Sequence, residues 1–251
     1  MNAPTSVSHI RPRPVEMGPR QLQVGGVTPF SATDYPGQLA AAIFVNGCAW
    51  RCGYCHNPHL QSRNQPSQVS WPATLDFLAR RVGLLDAVVF SGGEPTTDPA
   101  LPDAIAAVRA LGFRVGLHTA CIYPDRLTRV LPLLDWVGFD IKAPFSRYAA
   151  ITGVRNSGDP ARACAQTIID SGIDYECRTT IHSALLPPAA LLELANTLAD
   201  MGVVNYALQE FRAQGCADMD LTANTLPGYP DAAVVTSIAE LFPRFIFRRA
   251  H

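Results

Sequence analysis

Six times along this chain a continuous apolar run ends in polar or turn-forming residues and gives way to a helical pattern. The runs are Leu39–Asn46, Asp86–Phe90, Phe113–His118, Trp136–Lys142, Tyr175–His182 and Val203–Phe211. Runs that are apolar throughout, and not only at alternate positions, belong to strands covered on both faces, which is the condition of a parallel sheet. Helices are expected at about 71–82, 99–111, 123–131, 160–169, 187–201 and 231–241. Ser70, Asp98 and Asp159 serve as their caps, and Gly112, Gly172 and Gly202 as their stops. A short strand is expected near Leu22–Val27 and a closing one at Phe245–Phe247. The fold class is α/β: a partial (β/α)6 barrel, with helices outside a parallel sheet.

In such folds ligands bind at the carboxyl ends of the strands. The unusual polar residues of this chain fall there: a cysteine loop after the first run, Ser91-Gly92-Gly93-Glu94, His118-Thr119, Asp140 with Lys142, His182, and Glu210 with Arg212. The cysteine loop reads Cys48-Ala-Trp-Arg-Cys52-Gly-Tyr54-Cys55-His56, so three of the seven cysteines lie within eight residues. Three thiolates on one loop suit an iron–sulfur cluster, which usually takes four ligands, and would leave one iron for another donor. The rival reading is a structural zinc site completed by His56 or His59. No second C-x2-C is present to build a zinc ribbon. Cys121, Cys164, Cys177 and Cys216 are scattered and read as buried free thiols.

Composition limits the remaining choices. Across 251 residues, 48% are hydrophobic and 16% charged, enough for a sizeable core and against global disorder. The net charge of −1, with no basic run, leaves no electrostatic footprint for nucleic acid. No apolar run approaches the ~18 residues of a membrane span, and the start has no secretory hydrophobic core. A cytoplasmic location is therefore expected. Residues 1–21, with four prolines, read as a disordered tail, and 22–251 as one domain.

C-x3-C-x-aromatic-C, with Tyr54 at the aromatic place, resembles the signature of the radical S-adenosylmethionine enzymes. The Gly92-Gly93-Glu94 run, one βα unit later, resembles that family's element for the cofactor's amino group. The resemblance implies a 4Fe–4S cluster on Cys48, Cys52 and Cys55, with its fourth iron chelated by the methionine part of S-adenosylmethionine. It also implies reductive cleavage of that cofactor to a 5′-deoxyadenosyl radical. Cofactor contacts are then expected from Tyr54, Cys55, His56, Gly92, Gly93, Glu94, Thr119, Asp140, Lys142, Arg178 and Arg212. Arg178 has a second reading, an internal ion pair with Glu176 or Asp174, and Asp140 with Lys142 has the same bland alternative.

More narrowly, Gly25-Gly26, Thr28-Pro29-Phe30-Ser31, Asp34-Tyr35-Pro36-Gly37 and Cys55-His56-Asn57-Pro58 resemble activating proteins of anaerobic ribonucleoside-triphosphate reductase. That implies a glycyl-radical enzyme as partner and an electron donor of flavodoxin or ferredoxin type. The alternatives are an activase of another glycyl-radical enzyme such as pyruvate formate-lyase, a radical enzyme for a small molecule, and a zinc-stapled interaction module. One departure stands out. Relatives that activate pyruvate formate-lyase carry an acidic residue before Thr-Asn-Gly on the third strand, whereas this chain has His118-Thr119-Ala120.

Overall fold

The computed structural model describes residues 20–64, 66–67 and 69–250. The tail expected over residues 1–21 lies, but for its last two residues, outside the described ones. The strands are β1 (Val24–Ser31), β2 (Ala40–Val45), β3 (Ala87–Gly92), β4 (Arg114–Thr119), β5 (Trp136–Asp140), β6 (Asp174–Ile181), β7 (Asn205–Glu210) and β8 (Arg244–Arg248). The helices are α1 (Trp71–Ala79), α2 (Leu101–Ala110), α3 (Pro124–Val130), α4 (Tyr148–Thr152), α5 (Gly158–Ser171), α6 (Pro188–Asp200), α7 (Met219–Ala223) and α8 (Ala232–Ala239). All eight strands form one sheet in chain order. β1 is antiparallel to β2, and every later pair is parallel. The six expected βα units are those of β2 to β7.

Three boundaries differ from the sequence reading for local reasons. Pro29-Phe30-Ser31, read as turn, continues β1. A proline has no N–H to give, which an edge strand tolerates, and the register shifts between Thr28 and Ser31. Asp98 does not open α2 directly. It sits two residues before the cap Ala100, and its carboxylate accepts from Ala100 N at 2.9 Å. Ser70 caps α1 as expected, accepting from Ala73 N. Asp159 lies inside the first turn of α5, whose cap is Ser157 with no side-chain bond.

Side chains alternate across each strand. One face, carrying Ile43, Val45, Val88, Phe90, Val115, Leu117, Val137, Phe139, Cys177 and Leu208, joins the large core under the helices. The other face lines the concave side. There Ala40, Ala87, Val89 and Trp136 gather with Tyr35 in a second, small cluster. Tyr35 comes from the β1–β2 loop and stacks on Trp136 of β5 with ring centroids 5.1 Å apart. A loop of the first hairpin thus reaches the fifth strand, because the sheet curls. Asp34-Tyr35-Pro36-Gly37, legible in sequence only as a turn, floors the barrel at the amino ends of its strands.

Among the described residues no helix is long and apolar enough to cross a membrane.

Candidate active site

The cysteine loop leaves β2 through a tight neck. Gly47 N donates to Leu60 O at 2.7 Å and Cys48 N to Gln61 O at 3.0 Å. The β3 exit packs directly on that neck. Gly93 N donates to Val45 O at 3.0 Å and Glu94 N to Gly47 O at 2.8 Å. A Cβ on Gly92 would lie 2.4 Å from Val45 N, and one on Gly93 2.4 Å from Gly47 O. The glycine pair is therefore demanded by the cysteine loop's own backbone. Gly92 also has φ of +117°, outside the reach of ordinary side chains.

Further anchors hold the loop. Arg51 N donates to Thr152 O at 2.8 Å, and the Arg51 guanidinium donates to Cys48 O and Trp50 O. Trp50 meets Tyr148 edge-on. From the far side the segment after β7 folds over it. His56 Nε2 donates to Arg212 O at 2.9 Å, its ring stacks on Phe211, and Cys216 Sγ lies 3.5 Å from Gly53 O. Of the four scattered cysteines, Cys121, Cys164 and Cys177 are buried as expected, while Cys216 is half-buried in this flap. Nothing in the sequence pattern pointed to that contact, because it joins positions 163 apart.

Cys48, Cys52 and Cys55 are all half-buried. Burial pushes the Cys48 thiol up to about 12, Glu94 and Cys52 adding to the effect of desolvation, and burial raises Cys52 as well. Among the described residues no three His, Cys, Asp or Glu side chains are gathered into a metal-ion site. His56 Nε2 is committed to the Arg212 carbonyl, which leaves Nδ1 as its one free ring nitrogen. The donor chemistry suits an iron–sulfur cluster: three soft thiols on one loop, backed by a strand exit pared to glycine, with protons to be released on loading.

Beside the thiols stands one buried cation. Lys142 Nζ pairs with Asp140 Oδ2 at 3.2 Å and lies 5.5 Å from the centre of the Tyr54 ring. Burial alone would lower the Lys142 ammonium, yet Tyr54, Asp140 and Cys52 outweigh it and hold it well above its ordinary value. Tyr148, unmarked in sequence, fixes this strand end: its hydroxyl accepts from Lys142 N at 2.9 Å. The Tyr54 hydroxyl is buried with no hydrogen-bond partner among the described residues.

The other expected residues divide. Glu94 is 0% exposed, and Thr119 is buried against it, donating at 3.0 Å. Arg178 takes its ion-pair reading: Nε donates to Glu176 Oε1 at 2.7 Å, and the guanidinium lies over Trp136. Arg248 of β8 grips the same carboxylate with two bonds of 2.7 Å. These guanidiniums hold the Glu176 carboxyl below its ordinary value despite burial. Arg178 Nη1 is also 3.2 Å from His118 Nε2, but that nitrogen lies 2.8 Å from Asp34 O. A carbonyl can only accept, so Nε2 carries the proton and Nδ1 accepts from Ser91 Oγ at 3.2 Å. Burial, with Arg178 alongside, lowers His118 to about 4 and keeps it neutral. The Arg212 side chain is exposed. The cysteines, Tyr54, His56, Asp140 and Lys142 thus share one rim at the carboxyl ends of the strands. Arg178 sits below it in the lumen, and Arg212 is joined to it through the His56 contact.

Known proteins bear on this arrangement. A protein of Methanocaldococcus jannaschii, provisionally named a glycyl-radical enzyme activating enzyme, is 27% identical over 87% of this chain and 92% of its own. The pyruvate formate-lyase-activating enzyme of Clostridium pasteurianum is 28% identical over 54% of this chain and 59% of its own. In fold, the chain is similar to Streptococcus suis SuiB bound to precursor peptide SuiA. The TM-score is 0.59 at 14% identity, covering 82% of this chain and 47% of that one. Several relatives are thus longer than the stretch matched. Residues 42–201 match the model of the radical SAM superfamily. They include the cysteine loop, the glycine pair and the Asp140–Lys142 strand end, and the chain belongs to that superfamily as a radical SAM enzyme.

Proposed function

We propose that this enzyme is an activase that places a glycyl radical on a partner protein. The observation that carries the reading is the collinear match to the M. jannaschii relative over nearly the whole of both chains. A pyruvate formate-lyase-like partner is the first candidate, since relatives of that name recur among the similar proteins. Anaerobic ribonucleoside-triphosphate reductase is the second, on the resemblance of the runs at 25–37 and 55–58. The peptide bound by SuiB supports a polypeptide substrate for a barrel of this shape.

In this reading Cys48, Cys52 and Cys55 hold a 4Fe–4S cluster. With S-adenosylmethionine bound and one electron from a flavodoxin- or ferredoxin-type donor, the pair would supply the radical chemistry, cleaving the cofactor's sulfonium C–S bond and releasing methionine, that removes a hydrogen atom from a glycine Cα. Lys142, held cationic beside Asp140, would pair with the cofactor carboxylate. Tyr54, His56, Gly92, Gly93, Thr119, Arg178 and Arg212 would supply its further contacts. The Tyr35–Trp136 stack fills the barrel at the amino ends of its strands, so the rim is the side from which a substrate loop would approach.

The test is anaerobic reconstitution with iron and sulfide, then reduction with S-adenosylmethionine in the presence of each candidate partner. The expected result is 5′-deoxyadenosine in step with a glycyl-radical resonance on one partner. Turnover on a small molecule, with no radical on any glycyl-radical enzyme, sinks the activase reading. Stoichiometric zinc with no cluster absorption sinks the cluster assignment.

A further inference from the structure

Among the described residues, Glu94 carries more side-chain hydrogen bonds than any other residue at the rim. Oε1 accepts from Thr96 N at 3.1 Å, Thr96 Oγ1 at 2.6 Å and Thr119 Oγ1 at 3.0 Å. Oε2 accepts from Ala120 N at 2.7 Å and shares the Thr119 hydroxyl at 3.1 Å. A carboxylate offers about four lone-pair sites, and four donors already converge on this one. Burial raises its pKa while these same donors oppose the rise, which is the balance of a carboxylate solvated by its own protein.

The donors belong to different loops. Thr96 lies in the loop after β3, and Thr119 and Ala120 at the exit of β4. Through its backbone N–H, Glu94 also holds Gly47, the residue before the first cysteine. Thr119 Oγ1 in turn accepts from Cys121 N at 3.0 Å, and Cys121 has φ of +64°, a left-handed conformation costly for a residue with a Cβ. One residue therefore ties the cysteine loop, through its backbone N–H, to a strained β4 turn, through its carboxylate, with the glycine exit between them.

We propose that Glu94 is a positioning residue. It sets the Gly92–Gly93 backbone and the Cys48 neck in place before any cofactor arrives, and it does not itself bind the cofactor's ammonium. The effect on S-adenosylmethionine rests on the family chemistry. The loop organisation does not, so the two can fail separately.

The deciding measurement is hydrogen exchange on the cofactor-free protein. Glu94→Gln keeps the size but, in either amide orientation, turns its NH2 toward a backbone N–H, that of Thr96 or that of Ala120. Thr96→Val removes a donor from a residue given no cofactor role. In both variants amide exchange should rise at least about tenfold across 119–121 and at 47–48, and stay unchanged in β6 and β7. After reconstitution each variant should carry native iron per chain yet bind S-adenosylmethionine about tenfold more weakly. The double variant should be little worse than either single one, because both cut the same network. Thr96→Ser returns the hydroxyl and should restore affinity. Should Glu94→Gln fail to fold, the Thr96 pair carries the test alone. Unchanged exchange in the cofactor-free variants, or native affinity in Thr96→Val, overturns the proposal; lost affinity confined to Glu94→Gln would then make Glu94 a direct ligand.

Discussion

The same strands present two unlike faces. Outward, β3, β4 and β5 carry Val88, Phe90, Val115, Leu117, Val137 and Phe139, packed beneath the helices. Inward, they carry Ala87, Val89 and Ser91, then Gly116 and His118, then Trp136, Gly138 and Asp140. The outer face is large, branched and interchangeable in kind. The inner face is small wherever it can be, and its few large residues are placed singly: Trp136 on the floor, Arg178 above it, His118 beside both. Bulk on the outside binds helices to the sheet, while smallness on the inside leaves a chamber open toward the rim. The difference predicts that damage to the outer face costs stability in proportion to lost volume, whereas damage to the inner face acts through charge and shape.

The largest effect should come from the outer face. Phe139 is fully buried between β5 and the helices and packs on Tyr175. Phe139→Ala should cost about 4 kcal/mol by loss of buried surface and creation of a cavity. Denaturant melts of the two proteins would measure it. A cost below about 1 kcal/mol would mean that the outer core repacks freely, and the contrast between the faces would collapse.

Glu176 tests the inner face. It lies between Arg178 and Arg248, and its removal strands two guanidiniums, one deep in the lumen and one a third exposed. Glu176→Ala should cost about 3 kcal/mol, the scale for a broken buried pair. Replacing all three residues by apolar ones of similar volume should cost far less. If the single and triple variants were equally unstable, volume and not charge would govern this face too.

How far each face was legible in the sequence follows from the same contrast. Continuous apolar runs announced the outer face, so the strands fell within a few residues of where they were expected, and the repeated unit announced the barrel. The cysteine spacing and the Gly92-Gly93 exit are local, and local spacing is what a sequence displays. The chamber is made of contacts across the barrel. Tyr35 on Trp136, Arg248 on Glu176, and Asp34 on His118 join residues scores of positions apart, and each partner alone reads as a turn, a strand end or an odd charge. Glu94 was found by its motif, but its donors Thr96, Thr119 and Ala120 become visible only when β3 and β4 lie side by side.

The His118 ring separates the faces by pH. Its pKa in the folded protein is lowered to about 4 from an ordinary 6.5, first by burial and then by Arg178. Above pH 6.5 it is neutral folded or unfolded and contributes no slope. As the pH falls from 6.5 toward 4, the unfolded chain gains a proton that the folded one refuses, so stability drops, by at most about 1.4 kcal/mol per pH unit. Glu176 acts in a different window. Its carboxyl is depressed when folded, so its contribution is complete above its ordinary pKa of 4.5 and is lost as the pH falls through the lower folded value. Urea melts between pH 7 and 4 should show the His118 slope on top of a contribution of the same sign from His56, which burial also lowers, and His118→Gln should reduce the slope. An unchanged slope in His118→Gln would assign the titration elsewhere.

The smallest effect should come from the one part of the chamber that resembles the outer face. Tyr35 and Trp136 are buried against Ala40, Ala87 and Val89, so the floor is ordinary apolar packing with an added ring stack. Tyr35→Leu keeps most of the volume and loses the stack, which is worth about 1 kcal/mol beyond burial. Melting should therefore shift slightly, with no change in the His118 slope, because Asp34 holds His118 through its backbone carbonyl and not through the neighbouring ring. A loss of that slope in Tyr35→Leu would mean that the loop leaves the lumen when the ring is cut, so that the floor is the stack itself and the alanines beneath it do not suffice to hold the plug.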